Sequence, residues 1–213
     1  MADNYLEKRY AEVFGGGAKV AKHTRPSLDV LLTKNRSTRG YQKEYVVHRQ
    51  QLEAMVAVNA KLASARNQQA LRFHLVTKGP EADEVLKHIH MGMGLPELHL
   101  PLPGTEPEAF IVVATEHKDD ANLYIDLGIS VQSMLLKAVE MGLNGLIIRA
   151  FDSAALAAGL GFAPSMKPLC VLAVGRSAES AQTVSVSKEE SLAYYRSEGV
   201  HFVPKIKSED LIF

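Results

Sequence analysis

Between residues 119 and 141 the apolar positions Leu123, Leu127, Val131, Met134, Ala138 and Met141 recur in steps of three or four. That spacing marks one face of an α-helix. Ile125, Ile129, Leu135 and Leu136 widen the stripe beyond one face, and a helix apolar on most sides is buried on most sides. In a chain of 213 residues the pattern predicts a central helix shared with a second subunit. Apolar runs at Phe73–Thr77, Phe110–Ala114, Leu146–Ile148 and Leu169–Gly175 read as strands. Helical patterns cover residues 3–14, Pro26 to about Lys34, 48–63, 81–90 and a stretch capped by Asp152 that runs to about Leu160. Gly15-Gly16-Gly17 stops the first of these. From Met91 to Pro107 glycines and prolines exclude regular structure, leaving either a flexible cover or a substrate loop. The alternation predicts an α+β fold with helices packed on a central sheet. It divides into a helical arm (residues 1–25) and a folded domain (residues 26–213).

Composition narrows the class. Basic and acidic residues balance at 24 each, so net charge calls for neither nucleic acid nor an anionic membrane. The single cysteine, Cys170, excludes an internal disulfide and fits a reducing, cytoplasmic setting. It sits in an apolar strand and reads as a small core residue. The amino end is too charged for a secretory apolar core, and no apolar stretch reaches the ~20 residues that span a bilayer. A soluble cytoplasmic protein is expected.

The candidate chemistry begins at Lys34-Asn35-Arg36-Ser37-Thr38-Arg39-Gly40-Tyr41, where two guanidinium groups bracket two hydroxyls. Such donors grip phosphate through charge-assisted hydrogen bonds. A second cationic pair, Lys205 and Lys207, lies near the other end, and an amide cluster, Asn67-Gln68-Gln69, lies between them. Together they suggest one polar ligand held by distant parts of the chain. Asn67 and Gln69 read equally as a helix cap or turn. Lys205 and Lys207 read equally as solvated tail charges, and Arg149 as a surface arginine or a substrate-facing one. His88, His90 and His99 raise a metal reading, but no cysteine or nearby Asp completes a ligand set, and no metal is expected. Tyr194-Tyr195-Arg196 reads as part of a packed carboxyl-terminal segment rather than a stacking platform.

Arg36-Ser37-Thr38-Arg39-Gly40-Tyr41 resembles the arginine-serine-x-arginine signature of nitroreductase-family flavoproteins. Ala63 to Phe73 resembles their helix-to-strand turn. Asp126 to Leu136, ending in Glu140-Met141-Gly142-Leu143, resembles their long central helix, and Lys205-x-Lys207 resembles their carboxyl-terminal basic pair. The resemblance spans roughly residues 28–213. It implies a mostly antiparallel central sheet flanked by helices, with the long helix at a homodimer interface. It also implies flavin mononucleotide (FMN), reduction by NADH or NADPH, and delivery of electrons to a nitroaromatic, quinone or flavin-like acceptor in alternating half-reactions. By position, Arg36, Ser37, Arg39, Lys205 and Lys207 would hold the FMN phosphate and ribityl chain. Asn67 and Gln69 would bond the flavin from across the dimer, and the backbone of Ile148, Arg149 and Ala150 would face flavin N5. No side chain is assigned as a catalytic acid or base, since the flavin carries the redox chemistry. The sequence departs from the family pattern at Asn35, where a second arginine is common, at Ala70-Leu71 in place of proline-tryptophan, and at Arg149-Ala150 in place of glutamate-glycine. The changes at Leu71, Arg149 and Ala150 leave open a flavin-binding storage or sensing module without NAD(P)H turnover. Reductive removal of a substituent from an aromatic ring, which the resemblance associates with a substrate-ordering lid, is a further alternative on the same fold.

Overall fold

The structure is a computed structural model that describes residues 26–92 and 99–213. The expected helix 3–14, the arm 1–25 and part of the irregular stretch 91–107 lie outside the described residues. Among the described residues the fold has five α-helices and two sheets. The elements are α1 (Leu28–Lys34), α2 (Arg49–Val56), β1 (Leu71–Val76), α3 (Pro80–His88), β2 (Ala109–Thr115), α4 (Ala121–Glu140), β3 (Asn144–Ile148), α5 (Ser153–Gly159), β4 (Lys167–Gly175), β5 (Ser180–Val186), β6 (Tyr195–Ser197) and β7 (Val200–Ile206).

The larger sheet is antiparallel throughout, in the order β1-β2-β4-β3. Its central strands carry unbroken apolar runs because both faces are covered. Ile111, Val113, Cys170 and Leu172 pack with Met55 of α2 and Leu127, Val131 and Met134 of α4. The alternate residues Phe110, Val112, Val171 and Ala173 pack on the other face with Val85 of α3 and Leu156 of α5. The period-2 geometry of a strand sends successive side chains to opposite cores. Cys170 lies in the first of them, where burial pushes its thiol up to about 12.

Two helix boundaries differ from expectation. Ser27, not Pro26, is the N-cap of α1, its hydroxyl accepting from Val30 N–H at 3.4 Å. The helix predicted over 48–63 is α-helical only to Val56 and then tightens to a 3₁₀ turn, Ala57–Lys61. Asn59 explains the change. Its amide donates to Val56 O at 2.9 Å, diverting a carbonyl from the helical ladder.

Helix α4 forms as predicted, with Asp120 as N-cap accepting from Leu123 N–H at 2.8 Å. One side of it is not covered by the described residues: Ile125 is 59% exposed and Ile129 39%.

The second sheet, β5-β7-β6, was not anticipated. β5 runs parallel to β7, and β6 antiparallel. Tyr195 and Arg196 therefore open β6, with Tyr194 just before it, and Tyr195 stacks on Phe202 with centroids 5.0 Å apart. No helix of the described residues is long and apolar enough to cross a membrane.

Candidate functional site

The segment after α1 is laced to the end of the sheet. Ser37 forms a parallel bridge with Gly145 of β3, and Thr38 N–H donates to Gly145 O at 3.1 Å. Tyr41 bridges to Ser177, and its buried hydroxyl donates to Thr38 O at 2.7 Å. Position 145 must be glycine at this approach. A Cβ would stand 2.6 Å from Ala173 O and 2.7 Å from Leu135 Cδ2. The backbone of Arg36 to Arg39 is thus fixed by ladder bonds, and its side chains project from a rigid base.

Three of those side chains line a hollow of about 400 Å³. Arg36, Ser37 and Arg39 form one wall and Lys205 of β7 another, so the structure brings together four of the residues singled out in the sequence. Leu32, Leu135 and Ile147 supply apolar surface. Among the described residues, no carboxylate lies within ion-pair distance of Arg36, Arg39 or Lys205. Arg36 donates through one terminal nitrogen to Leu32 O at the end of α1. Its Nε is buried without a partner among the described residues, and burial lowers the guanidinium's pKa. Arg39 lies over the Tyr194 ring, 5.7 Å from the centroid, while its backbone N–H donates to Glu179 Oε2 at 2.7 Å.

The remaining candidates lie elsewhere. Lys207 stands just past β7 at the cap of a 3₁₀ turn, its N–H donating to Val186 O at 3.0 Å. Gln69 lines a second hollow of about 380 Å³, with Phe73, Asp126 and Ile129. Its amide donates to Asn67 Oδ1 at 3.1 Å. Arg66, Asn67 and Gln69 all have positive φ, so the turn reading holds for this cluster. Asp126 of α4 holds that turn by accepting from Ser64 Oγ at 2.7 Å and Ala65 N–H at 3.0 Å.

Ile148 points into the core, 3% exposed, so it can offer a ligand only its main chain. The neighbour that lines the first hollow is Ile147. Arg149 lies over the Tyr124 ring at 5.2 Å. Ala150 O accepts from His90 N–H at 2.8 Å, and Ile89 bridges to Phe151. The loop after β3 is therefore stitched to the segment that leads into the irregular stretch. His88 is committed to Glu84 Oε1 at 2.9 Å. The far end of the stretch is anchored too, since Tyr41 N–H donates to Thr105 O at 2.9 Å. Sequence reasoning missed Gln132, Ile147, Tyr194, His201 and Val203 of the first hollow. For His201 and Val203 the available signal was alternation with Lys205 along one strand.

The sequence model of the Nitroreductase family matches residues 32–176, more than half of the chain. The chain belongs to the nitroreductase family. Solved structures of the family share the fold. A point mutant of an FMN and NADPH-dependent nitroreductase from sphigopyxis sp. strain HMH superposes with a TM-score of 0.65 at 17% identity, covering 88% of this chain and 98% of that one. A nitroreductase family protein from Clostridium difficile 630 gives 0.56 at 20% identity, covering 70% and 83%. One from Streptococcus pneumoniae TIGR4 gives 0.58 at 14% identity, covering 70% and 90%. Comparison with curated proteins finds no match.

Proposed function

We propose that this nitroreductase-family protein is a flavin oxidoreductase that binds FMN and uses NADH or NADPH to reduce a small organic acceptor such as a nitroaromatic, a quinone or a flavin. The observation that carries the reading is the hollow in which Arg36, Arg39 and Lys205 surround Ser37 with no internal counter-ion among the described residues, while Arg36 Nε is buried without a partner. Several cations brought together without carboxylates repel one another and are stabilised by an anion. That donor set fits a phosphate monoester with a hydroxylated chain behind it. Arg36, Arg39, Lys205 and, at the end of its strand, Lys207 hold the charge. The Ser37 hydroxyl donates to a phosphate or ribityl oxygen, and Leu135 and Ile147 keep water from one side. The main chain at Arg149-Ala150 faces the ring edge, and Arg149 keeps a positive charge over Tyr124. When bound, FMN supplies reversible two-electron chemistry, accepting from NADH or NADPH and delivering to the acceptor in alternation.

The exposed stripe of α4 supports a homodimer. Gln132 and Leu135 border the first hollow and Asp126 and Ile129 the second. A twofold pairing of this stripe is self-complementary, so it lays the Gln132 end of one helix beside the Ile125 end of the other. Asn67 and Gln69 of the partner subunit then complete a site begun by Arg36 and Lys205. The stretch 91–107, stitched at both ends, is the proposed cover.

Anaerobic addition of NADPH and then NADH to the FMN-loaded protein tests the reading. Loss of the visible flavin band supports it and names the donor. A band that persists with both donors contradicts turnover and favours a binding module, and a protein that ignores FMN contradicts the reading outright.

A further inference from the structure

His201, Val203 and Lys205 alternate along β7, and all three line the first hollow. His201 is 6% exposed, and its Nδ1 is buried without a hydrogen-bond partner among the described residues. An unpaired buried donor or acceptor is destabilising, so its retention calls for a reason. The imidazole meets Tyr194 edge-on with centroids 5.3 Å apart, and Tyr194 lies beneath Arg39. Arg39 comes from the segment after α1, Arg196 from β6, and Glu179 from the connection between β4 and β5. Arg36 and Lys205 share the hollow. Glu179 is already engaged by Arg196 and by the Arg39 backbone N–H. Burial, then Arg196 and Arg39, hold the imidazole below its ordinary pKa, with Glu179 opposing. A neutral ring thus sits in the wall of a hollow with an excess of positive charge.

We propose that His201 takes up a proton from solvent when an anionic group enters this hollow, so that an imidazolium joins Arg36, Arg39 and Lys205 around the anion. The inference rests on the reading that the anion is the FMN phosphate. A dianion reverses the local field, favouring the charged ring, and adds a charge-assisted hydrogen bond. Protonation without it would only add a like charge to the arginines. The sign of the linkage follows. The bound state holds the proton more tightly than the free state, so His201 strengthens binding at low pH and loses that effect as pH rises through the bound-state pKa. The phosphate, with a second pKa near 6, sheds protons among cations and acts in the opposite direction. It does so equally in a protein that lacks the imidazole.

The test is calorimetric titration of apoprotein with FMN at about pH 7.5, in two buffers of different ionisation enthalpy, for the wild type and His201→Gln. Riboflavin serves as the ligand without phosphate. The wild type is expected to take up a fraction of a proton more than the variant with FMN and none more with riboflavin. The variant's deficit in FMN affinity is expected to be roughly tenfold at pH 6.5 and to fade by about pH 8.5. Equal proton counts, with FMN bound by both proteins, would overturn the inference and leave FMN binding intact. A wild type that ignores FMN would overturn the reading beneath it and the inference together. The His201 ring resonances of the wild type, recorded with and without FMN, decide the matter without a variant. A ring that stays neutral in the complex contradicts the proposal.

Discussion

Lys43 and Arg39 stand four residues apart in the chain, yet their surroundings are opposite in kind. Lys43 lies 3.1 Å from carboxylates of both Glu106 and Glu108, and Lys78 lies 3.0 Å from Glu108. Burial alone would lower the pKa of Lys43, but the hydrogen bonds to Glu106 and Glu108 outweigh it and leave the pKa raised. At Glu108, burial pushes upward and hydrogen bonds from Lys78 and Lys43 prevail, leaving it lowered. This group neutralises itself and ties the end of the 91–107 stretch to the segment after α1. Arg36, Arg39 and Lys205 have no such partners among the described residues, and His201, which burial and then Arg196 and Arg39 hold below its ordinary pKa, shares their hollow. A run of basic residues in the sequence does not distinguish the two cases. The placement of acidic residues in the fold does, and it separates a structural clasp from the hollow proposed to take an anion.

The comparison can be broken by substitution, beginning with the largest expected effect. Arg36→Gln removes a charge from the hollow and should weaken FMN binding by about 2 kcal/mol, roughly thirtyfold. Riboflavin binding should be little changed, and fluorescence titration of the apoprotein reads both. Gly145→Ala drives a methyl into Ala173 O and Leu135. It should cost about 1–3 kcal/mol of stability by thermal denaturation and weaken FMN binding because the Ser37 bridge shifts with β3. Tyr41→Phe deletes a buried hydroxyl that bonds Thr38 O, with an expected cost of about 1 kcal/mol. Glu108→Gln should leave FMN affinity unchanged and cost less than about 1 kcal/mol, as partly exposed ion pairs do. That last effect has a defined pH dependence. The folded-state pKa of Glu108 is lowered, so its stabilisation is complete above the unfolded value of 4.5 and is lost as pH falls below it. Denaturant midpoints of the wild type and Glu108→Gln should therefore converge in acid.

The sheet core and α4 were legible because burial on two faces writes long apolar runs, and a helix packed along one side writes a period. Residues 180–206 were not legible. Gln182-Thr183-Val184-Ser185 and Tyr195-Arg196-Ser197 form strands that are mostly half-buried or exposed, so polar and apolar positions mix without a clear alternation. The site divided in the same way. Arg36-Ser37-Thr38-Arg39 is a compact cluster that reads in one dimension. His201 and Tyr194 gain meaning only when β6 and β7 fold back over the segment after α1. Asn67 and Gln69, open in the sequence to a helix cap, a turn or a flavin contact, lie in a turn held by Asp126 and Ser64. The proposed role of Asn67 and Gln69 at the flavin rests on the proposed second subunit, which one sequence does not display.

The central claim is that the unpaired cations of the first hollow hold the phosphate of FMN. The most direct measurement is the ratio of FMN to riboflavin affinity for the apoprotein, compared between the wild type and Arg36→Gln. The account predicts a large preference for FMN in the wild type and a preference reduced roughly thirtyfold in the variant. Equal affinity for the two ligands in the wild type, or an undiminished preference in the variant, would contradict it.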